Sequence, residues 1–409
     1  MLAGVRRAFS HRNYRVYQSG NIFSLVGTWV QRVGVGWLAW EMTHSPFWLG
    51  AIAAAELAPS IIFGPIGGAV ADRMSRLTLI RSTQGLLAVV ALAMGLLTLD
   101  GQMTPWLLLI LNALAGIVVS FGQPARLSMV RALVPVDSLP SAVATNSIMW
   151  NMARFVGPAL AGFIIAQYGV AWAFLLNAVS YSAFIFALFS LNLPPRPINT
   201  RAKTSLLADM KEGVAYVSRH PGLGPVLLLL IVNAVTVRPY VEMLPGFADA
   251  VFGAGVDGFV ALTAAIGIGA IIAGIWVGGR EGFAGLTRIA IDGVLLMAVA
   301  VLVFAATESL WVGLFGAALS GGAMVISGVA MQSLIQQATD PDKLSRVLSL
   351  YGLSFRAGPA VGALIMGTAS EFYGLQMPVI VGALICLIGW GWARQRMKVI
   401  DAALNKPGS

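Results

Sequence analysis

At 409 residues, 58% hydrophobic and only 11% charged, the chain lies far from the ~25% charged residues of soluble domains and reads as a multi-spanning membrane protein. The single cysteine, Cys386, excludes an internal disulfide and a thiolate metal cluster, and His11, His44 and His220 stand too far apart for a metal-ligand motif. No G-x-x-x-x-G-K-[ST] phosphate loop occurs, so nucleotide hydrolysis is not the expected power source.

A helix needs about 20 mostly apolar residues to cross a bilayer. Runs of that length lie near 16–40, 46–71, 77–99, 104–123, 141–167, 170–193, 222–248, 256–279, 286–306, 309–337, 346–370 and 375–394. The basic opening, with Arg6, Arg7 and Arg12, precedes a run too long for a signal-peptide core, and no small-residue cleavage pattern follows it. The first run is expected to remain as an internal helix. The longest polar interruption begins Pro194-Pro195-Arg196-Pro197. It divides the chain into a six-helix bundle over 1–193, a linker over 194–221 and a second six-helix bundle over 222–409 with a short tail. The fold class is an all-α membrane protein of twelve transmembrane helices in two bundles.

All the lysines and arginines outside the apolar runs fall in alternate gaps: the amino end, the gaps after helices two, four, eight and ten, the linker and the tail. Arg126 and Arg131 are assigned to the gap after helix four. The other gaps carry acids alone, among them Glu41, Asp100, Asp249, Asp257, Glu308 and Glu371. Basic residues stay on the cytoplasmic side during insertion, which places both termini and the linker in the cytoplasm. The net charge of +9 is then a matter of topology and anionic lipid contact, and nucleic acid is not an expected partner.

The halves resemble each other. Ser128 to Leu139 aligns with Ser333 to Leu344. Arg154-Phe-Val-Gly157-Pro158 aligns with Arg356-Ala-Gly358-Pro359, and Tyr168-Gly169 with Tyr373-Gly374. Three matches in one order indicate a parallel repeat, and such a repeat implies a transporter with a midplane site between pseudo-symmetric bundles.

Between the second and third runs stands Gly64-Pro-Ile-Gly67-Gly68-Ala-Val-Ala-Asp72-Arg73-Met-Ser-Arg76. Gly68, Asp72, Arg73 and Arg76 resemble the loop between helices two and three of the major facilitator superfamily, with Ser75 where the family prefers glycine. His11 to Arg15, Gln123-Pro124-Ala125-Arg126, Arg154 to Gly162 and Arg238 to Pro245 resemble the enterobactin-exporter and macrolide-efflux branch of the drug:proton antiporters. The resemblance implies the major facilitator fold, proton-coupled antiport, a gating role for Gly68, Asp72, Arg73 and Arg76, and a central cavity lined by helices one and seven. Two departures stand out. Asn112 occupies the place where drug antiporters often carry an arginine, and the second-half gate, Gly274 to Arg280, lacks the acid.

Away from the ends of the runs stand seven charged residues that need explaining: Arg32, Glu56, Arg154, Arg238, Glu242, Asp292 and Arg356. Charges at that depth cost about 2.5–3.5 kcal/mol on insertion scales unless a cavity or partner receives them. Arg32 and Glu56, on adjacent helices, come within about 3 Å of equal depth at 1.5 Å rise per residue. Arg238 and Glu242 are four apart and are expected on one helical face. Arg32–Glu56 is either a permanent structural bridge or a substrate and proton element, and Arg238–Glu242 either stabilises a proline-kinked helix or is such an element. Arg154, Gly157, Pro158, Arg356, Gly358 and Pro359 are expected at the helix seam, and Asp292 in an i,i+4 pair with Arg288. Trp29, Trp37 and Trp40 are expected as cavity lining and interface belt.

The functional expectation is proton-coupled efflux of an amphiphilic or anionic small molecule, siderophore-like or drug-like, across a bacterial inner membrane. Membrane lipids are partners, a monomer is expected, and neither cofactor nor metal is called for. Uptake or flipping of an organic anion or lysolipid, and a non-transporting scaffold or sensor, are the alternatives.

Overall fold

The computed structural model describes residues 2–191, 206–279 and 285–404, less a few side chains that include Asp72 and Arg356; Arg280 and most of the linker lie outside the described residues. Among the described residues there is no strand. A short α1 (Leu2–Phe9) leads into α2 (Arg12–Thr43), α3 (Pro46–Leu57), α4 (Pro59–Arg73), α5 (Arg76–Leu99), α6 (Pro105–Leu133), α7 (Leu139–Tyr168) and α8 (Val170–Phe189). After the linker come α9 (Leu206–Arg219), α10 (Leu223–Thr236), a 3₁₀ segment Arg238–Met243, the one-turn α11 (Leu244–Gly246) and a π segment Phe247–Val251. Then follow α12 (Gly255–Gly278), α13 (Leu286–Ala305), α14 (Leu310–Ala338), α15 (Leu344–Tyr373), α16 (Gln376–Gln395) and α17 (Met397–Leu404).

Eleven spans among the described residues are long and apolar enough to cross a membrane. α2 is the further expected crossing. It has the length, 32 residues, but Gln18, Asn21, Gln31 and Arg32 dilute its apolar character. The helix ends follow local rules. Thr104 and Ser75 cap α6 and α5 by accepting the Leu107 and Thr78 N–H groups. α7 and α15 both stop at a glycine of positive φ, Gly169 (89°) and Gly374 (75°), a conformation open to glycine at little steric cost. These two glycines are matched in the sequence repeat.

Contacts divide the chain into two compact units, Met1–His44 with Ala55–Arg201, and Ser45–Ala54 with Ala202–Ser409. The segment 45–54 thus groups with the second unit, where Glu371 accepts hydrogen bonds from the Ser45 hydroxyl (2.8 Å) and the Phe47 N–H (3.3 Å). Within each unit the glycine of the Gly-Pro pair seats a neighbouring helix. A methyl group on Gly157 of α7 would overlap Trp29 Cβ on α2, and one on Gly358 of α15 would meet Ala234 Cβ on α10 at 2.5 Å. Small residues permit this backbone approach where no hydrophobic drive separates helix from lipid.

α9 belongs to the second unit. Glu212 pairs with Lys343 and with Arg346 (3.2 Å), and the Tyr216 hydroxyl accepts the Asp340 N–H at 3.2 Å. His220 follows α9, and its Nδ1 accepts the N–H groups of Gly222 and Leu223, both at 3.1 Å, at the start of α10. Burial pushes the His220 pKa below its ordinary value, against a smaller upward pull from Asp340.

Two outcomes are expected. Gly157→Leu forces the α2–α7 contact apart and costs about 1–3 kcal/mol by overpacking, whereas Gly68→Ala, with no neighbour within 4 Å, leaves thermal stability unchanged or raised. Thermal unfolding of the two purified variants checks this. For His220, a pKa depressed in the fold means that the neutral ring is the stabilising form. Its contribution is complete above the ordinary histidine pKa of about 6.5 and is lost as pH falls below it toward the depressed folded value. A melting-temperature series from about pH 8 to pH 5 is expected to show that loss in the wild type. His220→Asn retains an acceptor that does not titrate in this range and flattens the step.

Candidate functional site

The first unit's site is built on α2. Polar residues recur along it every three or four positions, at Gln18, Asn21, Ser24, Thr28 and Gln31, with Arg32 directly after, and each of the first five bonds across to another helix or to its own neighbour. Gln18 donates to the Tyr14 hydroxyl (3.0 Å) and to Asn146 of α7 (3.2 Å), and Asn21 donates to Gln18 (2.9 Å). Ser24 donates to Gln84 of α5 (3.2 Å), Thr28 meets the Tyr181 hydroxyl of α8 (3.2 Å), and Asn177 of α8 donates to Gln31 (2.7 Å). Such bonds satisfy groups that hydrocarbon cannot.

Arg32 lies one turn beyond Trp29, its guanidinium carbon 5.6 Å from that ring's centre. Arg154, on α7, places its own 5.7 Å from the same ring. The structure therefore brings Arg32 of the expected pathway and Arg154 of the expected seam onto one indole, that of the Trp29 whose Cβ packs against Gly157. A ring quadrupole attracts cations, by about 0.5–2 kcal/mol each depending on desolvation. Pro158 is buried beside Gly157. Glu56 is partly exposed, two residues before the interruption at Ala58–Pro59 that separates α3 from α4. Its backbone carbonyl packs directly against Gly116 of α6. Asn112, at the antiporter arginine's place, is buried in the first unit.

The gate stretch is more helical than the loop it resembles. Gly68, Asp72 and Arg73 belong to α4, Arg76 begins α5, and only Met74 and Ser75 lie between. Arg73 is exposed and Arg76 partly buried; the Asp72 side chain is outside the described residues.

In the second unit Arg238 stands 3.9 Å above the Phe355 ring of α15. The expectation that Arg238 and Glu242 share one α-helical face is corrected here. Residues 238–243 form a 3₁₀ helix, in which positions three apart eclipse and positions four apart differ by about a third of a turn. Pro239 and Pro245 enforce the change by removing two N–H donors. Pro359 follows Gly358 in α15, and the Arg356 side chain lies outside the described residues. Asp292 pairs with Arg288 as expected (3.3 Å) and also with Arg394 (3.5 Å).

Sequence reading missed Arg126. It was assigned to the gap after helix four, yet α6 runs on to Leu133 and holds it. Its Nη2 donates to Asn21 Oδ1 at 2.6 Å and its guanidinium stands 5.4 Å from the Phe184 ring. It opens on a cavity of about 310 Å³ lined in part by Tyr17, Asn21, Asn146, Ser147 and Trp150. The signal was present in the spacing of polar residues along α2, which marks a face that must meet polar partners.

Paired helical bundles, a repeat at the Gly-Pro contacts and arginines held within membrane helices define a transporter of the major facilitator superfamily. Residues 6–407 match the family described as transmembrane secretion effector, MFS_3, and the chain belongs to it. The chain is similar to the MFS-type transporter YfiS of Bacillus subtilis, at 25% identity over 90% of this chain and 89% of that one. It is similar at 25% identity to the enterobactin exporter EntS of Escherichia coli O81, over 93% and 92% of the two chains. It is 26% identical to the staphyloferrin A transporter of Staphylococcus aureus, over 63% and 65%. Its fold is shared by a bacterial homologue of the human lysosomal transporter Spinster (TM-score 0.72, 15% identity, 97% and 99% covered) and by a D-xylose-proton symporter (0.68, 13%, 92% and 97%).

If the shared indole binds both guanidiniums, Trp29→Leu and Arg154→Gln are non-additive. A double-mutant cycle in thermal stability is expected to give a coupling of about 0.5–2 kcal/mol.

Proposed function

We propose that this transporter exports an amphiphilic or anionic small molecule in exchange for protons, by alternating access, in a bacterial inner membrane with both termini cytoplasmic. The observation that carries this reading is the pair of guanidiniums, Arg32 and Arg154, about one tryptophan ring. Two cations held together inside membrane helices favour an anionic guest. The likeness to a protein named as an enterobactin exporter supports the outward direction. Glu56 and Glu242 are the proposed proton carriers, since a carboxylate that gains a proton releases a nearby arginine. Gly68, Asp72, Arg73 and Arg76 form the proposed cytoplasmic gate, and membrane lipids contact the basic surface of what is proposed to be a monomer.

Transport in oriented proteoliposomes with an imposed pH gradient tests the proposal. Wild-type export of an anionic dye is expected to follow the gradient and to collapse with it, and Arg32→Ala is expected to lose at least about tenfold in rate, near the 1.4 kcal/mol that a factor of ten represents. Export indifferent to the gradient removes proton coupling, and unchanged export in Arg32→Ala removes the site. The fold shared with a proton symporter accommodates uptake as well, and accumulation on the opposite side of the vesicle identifies it.

A further inference from the structure

The cavity beside Arg126 is distinct in composition from the Arg32–Arg154 pair and is unaccounted for by the reading above. Its walls come from α2, α6 and α7, all in the first unit. Three observations bear on what it holds. The partners that the structure gives Arg126 are neutral: Asn21 Oδ1, the Phe184 ring and the Tyr17 hydroxyl. Among the described residues no carboxylate pairs with it. Its charge, half-buried in a helix, is therefore oriented by hydrogen bonds without being neutralised by them.

The second observation comes from the repeat. The alignment of Ser128 with Ser333 sets Met331 opposite Arg126. Met331 is 1% exposed in the core of its own unit. Packing at this place in the fold is thus met by an apolar side chain, so the arginine in the first unit is not a requirement of the scaffold.

The third is the cavity's remaining surface. Trp150 is 45% exposed and presents an aromatic wall, while Asn146 and Ser147 supply amide and hydroxyl groups. A volume of about 310 Å³ is at the lower end of small-molecule sites. Arginine matches a carboxylate bidentately, and an indole matches a flat ring.

We propose that this cavity is a binding site for the carboxylate end of an aromatic or ring-bearing organic anion, with Arg126 receiving the carboxylate and Trp150 stacking on the ring. The site rests on the anion-transport reading and adds to it a second cationic station, built wholly within the first unit. Asn21 is a positioning residue: its carboxamide oxygen and the Tyr17 hydroxyl engage part of the guanidinium, and the remaining ones of its five N–H donors are left for the guest.

The test uses the full chain in nanodiscs with 2-naphthoate and its neutral isostere 2-naphthamide as probes, followed by ligand-induced shifts in melting temperature and by titration calorimetry. Wild type is expected to bind the acid and not the amide. Arg126→Gln is expected to weaken naphthoate binding by roughly 10- to 100-fold, the range of a charge-assisted hydrogen bond, and Arg126→Lys to recover part of it. Trp150→Ala, at an exposed ring, is expected to keep the ligand-free melting temperature and weaken the acid several-fold. Equal binding of acid and amide, no binding of naphthoate to wild type, or an undiminished affinity in both Arg126→Gln and Trp150→Ala overturns the proposal. The vesicle assay on the same variants separates the two readings. Gradient-driven export without naphthoate binding refutes this site alone, and naphthoate binding without gradient-driven export refutes the exporter alone.

Discussion

A cation inside a bilayer must be received by something other than water, and much of this structure follows from how that is done. Carboxylates are scarce within the helices, and aromatic faces take a share of the work. Trp29 receives Arg32 and Arg154, Phe184 receives Arg126, Phe355 receives Arg238, and Phe189 receives Arg81 at 4.4 Å. An aromatic partner differs from a carboxylate in one respect that matters for transport. It lowers the cost of holding the charge without transferring a proton or forming an ion pair at the ring itself. Arg81 shows the same economy at the edge of the bundle, where its Nη2 also donates to the Leu188 carbonyl at 2.7 Å.

The two carboxylates proposed to work with these arginines stand where the helices are interrupted. Glu56 lies just before the α3–α4 break at Pro59, and Glu242 lies in the 3₁₀ segment between α10 and α11. Interrupted backbone at membrane depth survives only where protein or a water-filled cavity satisfies the freed groups. The close seat of Gly116 against the Glu56 carbonyl and the buried Tyr240 hydroxyl bonded to Ser320 show how the local structure meets that demand. A carboxylate at such a place sits on a backbone that is already irregular, and small shifts there need not break a continuous helical ladder.

The parts legible in the sequence were those governed by one-dimensional rules. Apolar length announced the spans, prolines announced the interruptions, and Tyr168-Gly169 with Tyr373-Gly374 announced two helix ends that the backbone realises with positive φ. Arg288 and Asp292 met as helical spacing required. Arg126 was misplaced because hydropathy ends a span at the first polar cluster, whereas a helix ends where its hydrogen bonds do, at Leu133. The single face assumed for Arg238 and Glu242 failed for a related reason: Pro239 and Pro245 were visible, but the change of helical repeat that they impose was not carried into the geometry. Convergence of Arg32 and Arg154 on Trp29 depends on how α7 crosses α2 at Gly157, which no local pattern encodes.

The internal repeat separates what the scaffold needs from what it tolerates. Gly157 seats α2 and Gly358 seats α10, and Gly169 and Gly374 each end the long helix that carries the same Gly-Pro pair. These positions are constrained by sterics, and both halves satisfy the constraint with the same residue. Charge is shared at Arg154 and Arg356 but not at two other places of the repeat. Asp72 has no acidic counterpart in Gly274 to Gly279, and Arg126 stands opposite the buried Met331. A desolvated charge is the costlier choice at a place where methionine packs well, so a scaffold under no other demand would gain by giving it up. That the first unit keeps its arginine, and orients it with Asn21 across helices, places this chemical asymmetry in the first unit.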